Sequence, residues 1–342
     1  MLSVIIPASN EAAWIGPCLA ALFASGPVPG GAEAIVVANG CRDDTADRAR
    51  GMRTLADARG WRLLVIERIE GGKPGALNAG DAEAQGEVRA YLDADVQVSP
   101  GLMAQLVLAL DVASPCYATG TVVVPRAACV VTRAYARFWQ TLPFASGEAP
   151  GMGLFAVNET GRARWPGFPA IISDDTFVRL QFLPVERIQV PATYQWPMIE
   201  GFAALVRVRR RQDAGVAEIR HLDPNLFDRE GKAPPGLSGI AVRALQSTRR
   251  CRFWSGCPKG AVIGRAGADR RSGPCLPQPD SGPQGRMRSA STSASLSMSC
   301  RSRTRSRARR PISSRRSGDT AAIAVIADAS AVASPVGTSQ PV

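Results

Sequence analysis

The chain has 342 residues, of which 45% are apolar, and it carries 41 Lys and Arg against 29 Asp and Glu. A net charge of +12 would suggest a nucleic-acid partner if it were spread along the chain. Residues 249–342, however, hold 17 basic and 4 acidic groups, whereas residues 1–248 hold 24 and 25. The larger part is nearly neutral, so we expect no nucleic-acid partner for it.

Cysteine spacing and hydrophobicity exclude further classes. The eight cysteines form no Cys-x-x-Cys pair, so the sequence predicts neither a zinc site nor a redox motif. The apolar run 2–6 has no basic segment before it and no cleavage-like site after it. No stretch approaches the roughly 20 apolar residues needed to cross a bilayer. We therefore expect a cytoplasmic protein, with at most peripheral contact at the inner face of the cell membrane.

Strand-like and helix-like patterns alternate through the first hundred residues. Parallel neighbours in a sheet need long connections, which are usually helices, so this order predicts an open, mostly parallel α/β sheet flanked by helices. Polar clusters at 7–11, 39–44 and 93–95 follow three of the strands, and ligands of such sheets bind beyond the carboxyl ends of strands. The predicted strands are 2–6, 34–38, 63–67 and 88–92, and the predicted helices begin near 11 and 44 and span 76–85.

The pattern changes after residue 113 and again near residue 235. The segment 249–316 is rich in Arg, Ser, Pro and Gly and cannot bury enough apolar surface to fold, so it is predicted to be disordered. Its abrupt onset also fits translation in a wrong reading frame. We expect a strand at 118–124 and helices at 133–140, after Asp174, and at 198–211 with Pro197 at the first position. The expected domains are a catalytic domain 1–235, with a nucleotide-binding half 1–113 and an acceptor half 114–235, and a low-complexity tail 236–342.

The sequence Asp93-Ala94-Asp95 directly follows the strand 88–92. Two carboxylates separated by one residue can contact a ribose hydroxyl and a divalent cation. Mg²⁺ and Mn²⁺ prefer oxygen ligands and neutralise charge on a departing diphosphate. A solvated turn is the ordinary alternative for such a short motif. The motif lies at the predicted carboxyl edge of the sheet, and this position favours a binding site for a nucleotide and a cation over a solvated turn.

Two loops also carry candidate binding groups. The run from Asn39-Gly40 to Asp44-Thr45 could be only a tight turn in which Asp44 caps the next helix. The run 71–78 combines two glycines, which permit close backbone approach, with Lys73, which could meet a phosphate or a base. The second run lacks the glycine and lysine order of a P-loop.

Taken in order, these motifs resemble the family 2 glycosyltransferases, which have the GT-A fold. The resemblance covers about residues 1–215 and includes a fifth match, Ser173-Asp174-Asp175, where that family carries an acidic pair. The other four matches are the Pro7 and Asn10-Glu11 segment, Asn39-Gly40 with Asp44-Thr45, Lys73 with Ala76-Leu77-Asn78, and Asp93-Ala94-Asp95.

The resemblance implies an inverting, metal-assisted transfer from a nucleotide-sugar donor to a sugar or lipid-linked acceptor. Asp175 would be the general base, Asp95 the principal ligand of Mg²⁺ or Mn²⁺, and Asp93 a contact of the ribose or the metal. Nucleotide-binding roles are implied for Pro7, Asn10, Glu11, Asn39, Asp44, Lys73 and Asp93. Asn39 replaces an acidic residue common in the family, and no Q-x-x-R-W motif is present, so processive synthases are poor models.

Several alternatives stay open at this point. Gly151-Met152-Gly153 begins a match to the dinucleotide fingerprint, but no strand is predicted before it, so a dehydrogenase is rejected and a role on the acceptor side is expected. His221 could complete a metal site or be merely exposed. The arginines at 207 and 209–211 could bind diphosphate or form a solvated helix face. A sugar-phosphate nucleotidyltransferase, or an impaired transferase with a defective C-terminus, remains the alternative function.

Overall fold

The computed structural model of the chain describes residues 1–143, 145, 149–231, 236, 238–240 and 242–243. Almost all of the predicted tail 236–342 lies outside these residues, and the predictions for it stay predictions. The domain boundary that the sequence predicts near residue 235 also stays a prediction.

The first half of the described chain alternates strands and helices as predicted. Every residue of the first strand and of the second is buried, as expected for central parallel strands that are covered on both faces. The elements are β1 (Leu2–Ala8), α1 (Ile15–Phe23), β2 (Ala32–Asn39), α2 (Thr45–Gly51), α3 (Arg53–Ala58), β3 (Trp61–Arg68), α4 (Lys73–Glu83) and β4 (Val88–Leu92).

The second half is less regular. Two short 3-10 turns, Pro184–Glu186 and Pro224–Arg229, accompany its helices and strands. The elements are β5 (Gln97–Val98), α5 (Leu102–Ala109), β6 (Tyr117–Val123), α6 (Val130–Trp139), β7 (Leu154–Val157), α7 (Glu159–Arg162), α8 (Asp174–Arg179), β8 (Arg187–Gln195) and α9 (Phe202–Leu222).

All eight strands form one sheet in the order β3-β2-β1-β4-β7-β6-β8-β5. The strands β3, β2, β1 and β4 are mutually parallel. Beyond β4 the sheet is mixed: β7 is antiparallel to β4 and β6, whereas β6 and β8 are parallel. The predicted parallel sheet therefore describes the first half, and the second half adds antiparallel strands to its edge.

Side chains alternate across the sheet and form two apolar layers. Val4 and Ile6 of β1 belong to a cluster that includes α1 and α5, whereas Ile5 points into a second cluster with α4, α8 and α9. This alternation is the period of two expected for a strand. Helices thus cover both faces, and the carboxyl ends of the parallel strands remain available for a site. None of the helices in the described part of the chain is long and apolar enough to cross a membrane.

The predicted helix 198–211 was misplaced at its start. The helix α9 begins at Phe202, after Gly201 with a φ of 93°, so Pro197 is not its first residue. The preceding Glu200 instead accepts hydrogen bonds from the backbone N–H groups of Ala128 and Cys129, at 2.6 and 2.9 Å. These contacts connect the segment before α9 to the start of α6.

The glycine pair 151 and 153 leads into the strand β7 and not into a helix. A dinucleotide fingerprint requires a helix after its glycines. The structure therefore agrees with the rejection of a dehydrogenase.

Candidate active site

The predicted site residues meet at the carboxyl ends of the parallel strands. Asp93 lies just beyond β4, Lys73 begins α4, and Asp174 and Asp175 begin α8. One small cavity brings together groups that are far apart in sequence; it is lined by Pro7, Lys73, Leu77, Tyr91, Leu92, Asp93, Gly153, Phe155, Asp174 and Asp175. Of the residues that the resemblance assigned a role, Pro7, Lys73, Asp93 and Asp175 share this cavity. The lining does not include the others, which are Asn10, Glu11, Asn39, Asp44 and Asp95.

Lys73 is the centre of this arrangement. Its Nζ lies 2.8 Å from Oδ1 of Asp93 and 3.1 Å from Oδ2 of Asp174. Burial opposes the charge of the ammonium, but the carboxylates of Asp174, Asp93 and Asp175 outweigh burial and raise the pKa of Lys73. Lys73 is therefore a fixed positive charge between the two halves of the sheet.

The two neighbouring acids Asp174 and Asp175 have different surroundings. The Asp174 side chain is only 5% exposed and pairs with Lys73; its burial raises the pKa of the carboxyl, against the effect of the lysine. Asp175 is half-buried and accepts a 2.7 Å hydrogen bond at Oδ1 from the backbone N–H of Thr176. It forms no ion pair with any residue that the structure describes. Asp175 is consequently the acid of the pair that is left to meet a second molecule.

Asp95 and Glu11 lie in a field of negative charge. Burial, followed by the charge of Asp93, raises the pKa of Asp95 to about 6. Burial, followed by the charges of Asp95, Asp93 and Asp43, raises the pKa of Glu11 to about 7. Mutual repulsion of this kind is relieved when a cation binds between the carboxylates.

A divalent cation fits this donor set if a ligand completes it. No group of three or more His, Cys, Asp or Glu suited to hold a metal occurs in the part of the chain that the structure describes. Mg²⁺ and similar ions are often held by one or two carboxylates together with substrate phosphates. Asp95 and Asp93 match that pattern. His221 lies exposed at the end of α9, outside any such group, so its proposed ligand role gains no support.

Asn39 is buried and joins three segments beside the predicted site. It is 2% exposed, and its Nδ2 donates to the carbonyls of Ala8 and Val37 at 3.0 and 3.3 Å. Its Oδ1 accepts from the backbone N–H of Gly72 at 3.0 Å. The amide of Asn39 thus joins β1, β2 and the loop before α4, and its contact with a nucleotide stays a prediction.

Asp44 was the predicted site residue of the loop after β2, but its neighbour Asp43, which the sequence did not single out, makes the contacts that hold the loop. Asp44 is exposed and forms an ion pair with Arg48 at 2.8 Å, and its side chain does not cap α2. Asp43 instead accepts from the backbone N–H groups of Thr45 and Ala12, at 3.1 and 3.2 Å. The available signal was an aspartate two residues before a threonine, which is typical of a local side-chain turn.

The loop after β1 is held by this neighbouring loop. The Thr45 hydroxyl accepts a 2.8 Å hydrogen bond from the backbone N–H of Glu11. Asn10 has a φ of 57° and accepts from the backbone N–H of Arg42 at 2.9 Å. Asn tolerates this left-handed conformation better than most residues. Asn10 and Glu11 are therefore held in place by the loop after β2.

Gly153 supports the acidic motif directly. Its carbonyl accepts a 2.9 Å hydrogen bond from the backbone N–H of Asp93, and its φ is 71°. A Cβ at this position would lie 2.5 Å from Cδ1 of Trp196 and 2.9 Å from Cγ2 of Val96. Gly151, with a φ of 72°, is equally constrained because a Cβ there would overlap the hydroxyl of Tyr117. Both glycines are therefore required by close packing beside the cavity.

The arginine run of α9 is outside the cavity. Arg207 and Arg211 are exposed, and Arg209 forms an ion pair with Asp213 one turn along the helix. None of these arginines lines the cavity that contains Lys73. The interpretation as a helix face fits their placement better than a diphosphate site.

Comparison with known proteins agrees with the fold and with the motifs. Residues 3–151 match the family model described as glycosyl transferase family 2. A segment of 94 residues is 36% identical to glycosyltransferase AglE of Haloferax volcanii, covering 28% of this chain and 30% of that protein. The match thus spans less than a third of that relative.

A solved structure has a similar fold. Mannosyltransferase PcManGT of Pyrobaculum calidifontis, in complex with GDP-Man and Mn²⁺, has a TM-score of 0.50 and 20% sequence identity, with 76% of each chain covered. The likeness confirms the predicted GT-A type of α/β fold. Over residues 3–151, therefore, this chain is similar to the proteins of glycosyl transferase family 2.

Proposed function

We propose that this chain is a glycosyltransferase that moves a sugar from a nucleotide-diphosphate donor to an acceptor hydroxyl with inversion, assisted by a divalent cation. The observation that carries the proposal is the single cavity in which Lys73 and Asp93 face Asp174 and Asp175. Donor-binding charge and a free carboxylate base have to be adjacent for such a transfer.

Asp175 is the proposed general base. An inverting transfer needs one base on the side opposite the leaving group, and Asp175 is half-buried in the cavity with no ion-pair partner among the described residues. Its hydrogen bond from Thr176 holds the carboxylate in orientation, so one oxygen can accept the proton of the acceptor hydroxyl.

Asp95 and Asp93 are the proposed ligands of Mg²⁺ or Mn²⁺. The bound ion supplies stabilisation of the negative charge on the departing diphosphate. Lys73, at the N-terminus of α4, adds a second positive charge on the same side of the cavity. A protein acid is then unnecessary for the leaving group. The PcManGT complex with GDP-Man and Mn²⁺ makes GDP and Mn²⁺ suitable first probes for this chain, and UDP is the second nucleotide to try.

A thermal-shift panel tests the proposal. We expect the melting temperature of the full chain to rise with GDP or UDP together with Mn²⁺, and less with either component alone, because binding to the native state adds stability. Stabilisation only by a nucleoside triphosphate with a sugar 1-phosphate would favour a nucleotidyltransferase instead. The absence of any shift across the panel would contradict the proposed function and favour an impaired protein.

A further inference from the structure

Lys73 has two carboxylate partners that belong to opposite halves of the sheet. Asp93 follows β4, whereas Asp174 opens α8, and the contacts are 2.8 and 3.1 Å. An ammonium group has three N–H donors and no acceptor. The ammonium contacts two carboxylates, which leaves one of its N–H donors over. The Lys73 side chain as a whole is 33% exposed. One N–H of Lys73 is thus left for a group that enters the cavity.

The position of Lys73 on its helix argues against a purely structural pair. It is the first residue of α4, a helix of 11 residues, after Gly72 with a φ of 122°. A cation at a helix N-terminus is disfavoured by the helix dipole, whereas an anion is favoured there. The carboxylates compensate for that cost in the free protein. Lys73 therefore brings a positive charge to the N-terminus of α4, an end of a helix that favours an anion.

Resting on the proposed function, we propose that Asp174 is a positioning residue: with Asp93 it holds Lys73 so that its third N–H meets a phosphate oxygen of the donor. Asp174 acts through Lys73 and touches neither the donor nor the acceptor. The adjacent acids then divide the work between them. Asp174 supports donor binding, and Asp175 serves the transfer step.

A double-mutant cycle on donor binding tests this assignment. The variants are Asp174→Asn, Lys73→Met and the two combined, and the measurement is calorimetric titration of the full chain with GDP or UDP in the presence of Mn²⁺. We expect each single change to weaken binding by about tenfold, as is usual for charged residues in contact. The combined variant should bind no more weakly than either single one, because both changes remove the same interaction.

Enzyme kinetics, together with a control variant in another ion pair, distinguish a positioning role of Asp174 from a role in folding alone. With the donor that binds, Asp174→Asn should raise KM for the donor more than it lowers kcat, the reverse of Asp175→Asn. Glu186→Gln is the control, because it removes one charge from the part-buried pair of Glu186 with Arg164, at 2.6 Å and outside the cavity. Should Asp174→Asn fail to fold, the combined variant, which has no unpaired lysine, is compared with Lys73→Met alone.

Three results would overturn the inference. They are unchanged nucleotide affinity in Asp174→Asn, losses that add in the combined variant, and tighter binding by Lys73→Met, which would mean that Lys73 blocks the cavity. Failure of the wild-type chain to bind either nucleotide with Mn²⁺ would instead contradict the proposed function, and it is detected before any variant is compared.

Discussion

The two halves of the sheet bring their groups to the cavity by different routes. In the parallel half, Pro7 lies at the end of β1, and Asp93 follows β4, so the strand ends themselves present the groups. In the mixed half, Asp174 and Asp175 come on the short helix α8, which follows β7 and α7. Sheet topology therefore fixes the groups of the parallel half, whereas the position of Asp174 and Asp175 depends on loops and close packing.

Each half also contains one buried asparagine that joins its loops. Asn39 is 2% exposed and links β1, β2 and the loop before α4. Asn158 is 5% exposed; it donates to the carbonyls of Val112 and Ser114 at 2.8 and 2.7 Å and accepts from Cys116 at 2.9 Å. These two residues allow the halves to be perturbed in a chemically matched way.

The largest effect is expected from Asp95→Ala on the donor side. This change should abolish the stabilisation that Mn²⁺ gives together with GDP or UDP, and also donor hydrolysis, because Asp93 is already paired with Lys73. Thermal shift and donor turnover measure the two effects. Binding that still depends on Mn²⁺ in this variant would mean that the principal metal ligand lies elsewhere.

On the acceptor side, Asp175→Asn should spare donor affinity and slow transfer by roughly 10²-fold, because the amide keeps the size of the side chain but not its basicity. Titration with the nucleoside diphosphate and initial-rate kinetics separate the two quantities. A parallel loss of affinity and turnover would assign Asp175 a structural role.

A smaller effect should distinguish the two asparagines. Asn39→Ala and Asn158→Ala each remove several buried hydrogen bonds and should each lower the free energy of unfolding by about 2 kcal/mol. Denaturant unfolding measures this loss. At a temperature where both variants are folded, only Asn39→Ala should weaken nucleotide binding, because it releases the loop of Gly72 beside Lys73. Equal weakening by both would mean that the halves are not separable.

The smallest effect concerns pH and Glu11. The pKa of Glu11 is raised to about 7 by burial and by Asp95, Asp93 and Asp43, so the folded chain holds this proton more tightly than the unfolded chain. The resulting stability is present below the unfolded pKa and is lost as pH rises through about 7. Relative to the wild type, Glu11→Gln should therefore gain stability between pH 4.5 and pH 8.

Melting temperatures of the two proteins across that pH range, without metal, provide the measurement. The comparison between the two proteins cancels the titration of groups that do not interact with Glu11. A difference that stays constant or falls with rising pH would contradict the crowding of carboxylates around Glu11.

The sequence was informative where one local pattern determines one element. The strand β4 begins and ends as predicted, and β1 to β3 are longer than the predicted runs by one or two residues at the ends that differ. Continuous apolar runs in central parallel strands give a strong signal. The acidic motif after β4 and the acidic pair of α8 were found because short motifs in a fixed order resemble a family.

The remaining features depend on contacts between distant segments. The strands β5 and β7 have two and four residues, too few to show a period. In β8 the burial alternation is interrupted around Pro191. The pair of Lys73 with Asp174 joins residues of different halves, and the amide of Asn39 is used across three segments. No local periodicity carries such information, so the hydrogen bonds of Asn39 to distant segments could not be predicted from the sequence.

The most direct test of the central claim follows a nucleotide-sugar donor by proton NMR, with the nucleotide chosen by the thermal-shift panel and with Mn²⁺ present. We expect the wild-type chain to release a nucleoside diphosphate and a sugar whose first-formed anomer is inverted relative to the donor, and Asp175→Asn to do so far more slowly. Formation of the retained anomer, or consumption of the donor only when pyrophosphate is added, would contradict an inverting transfer with Asp175 as its base.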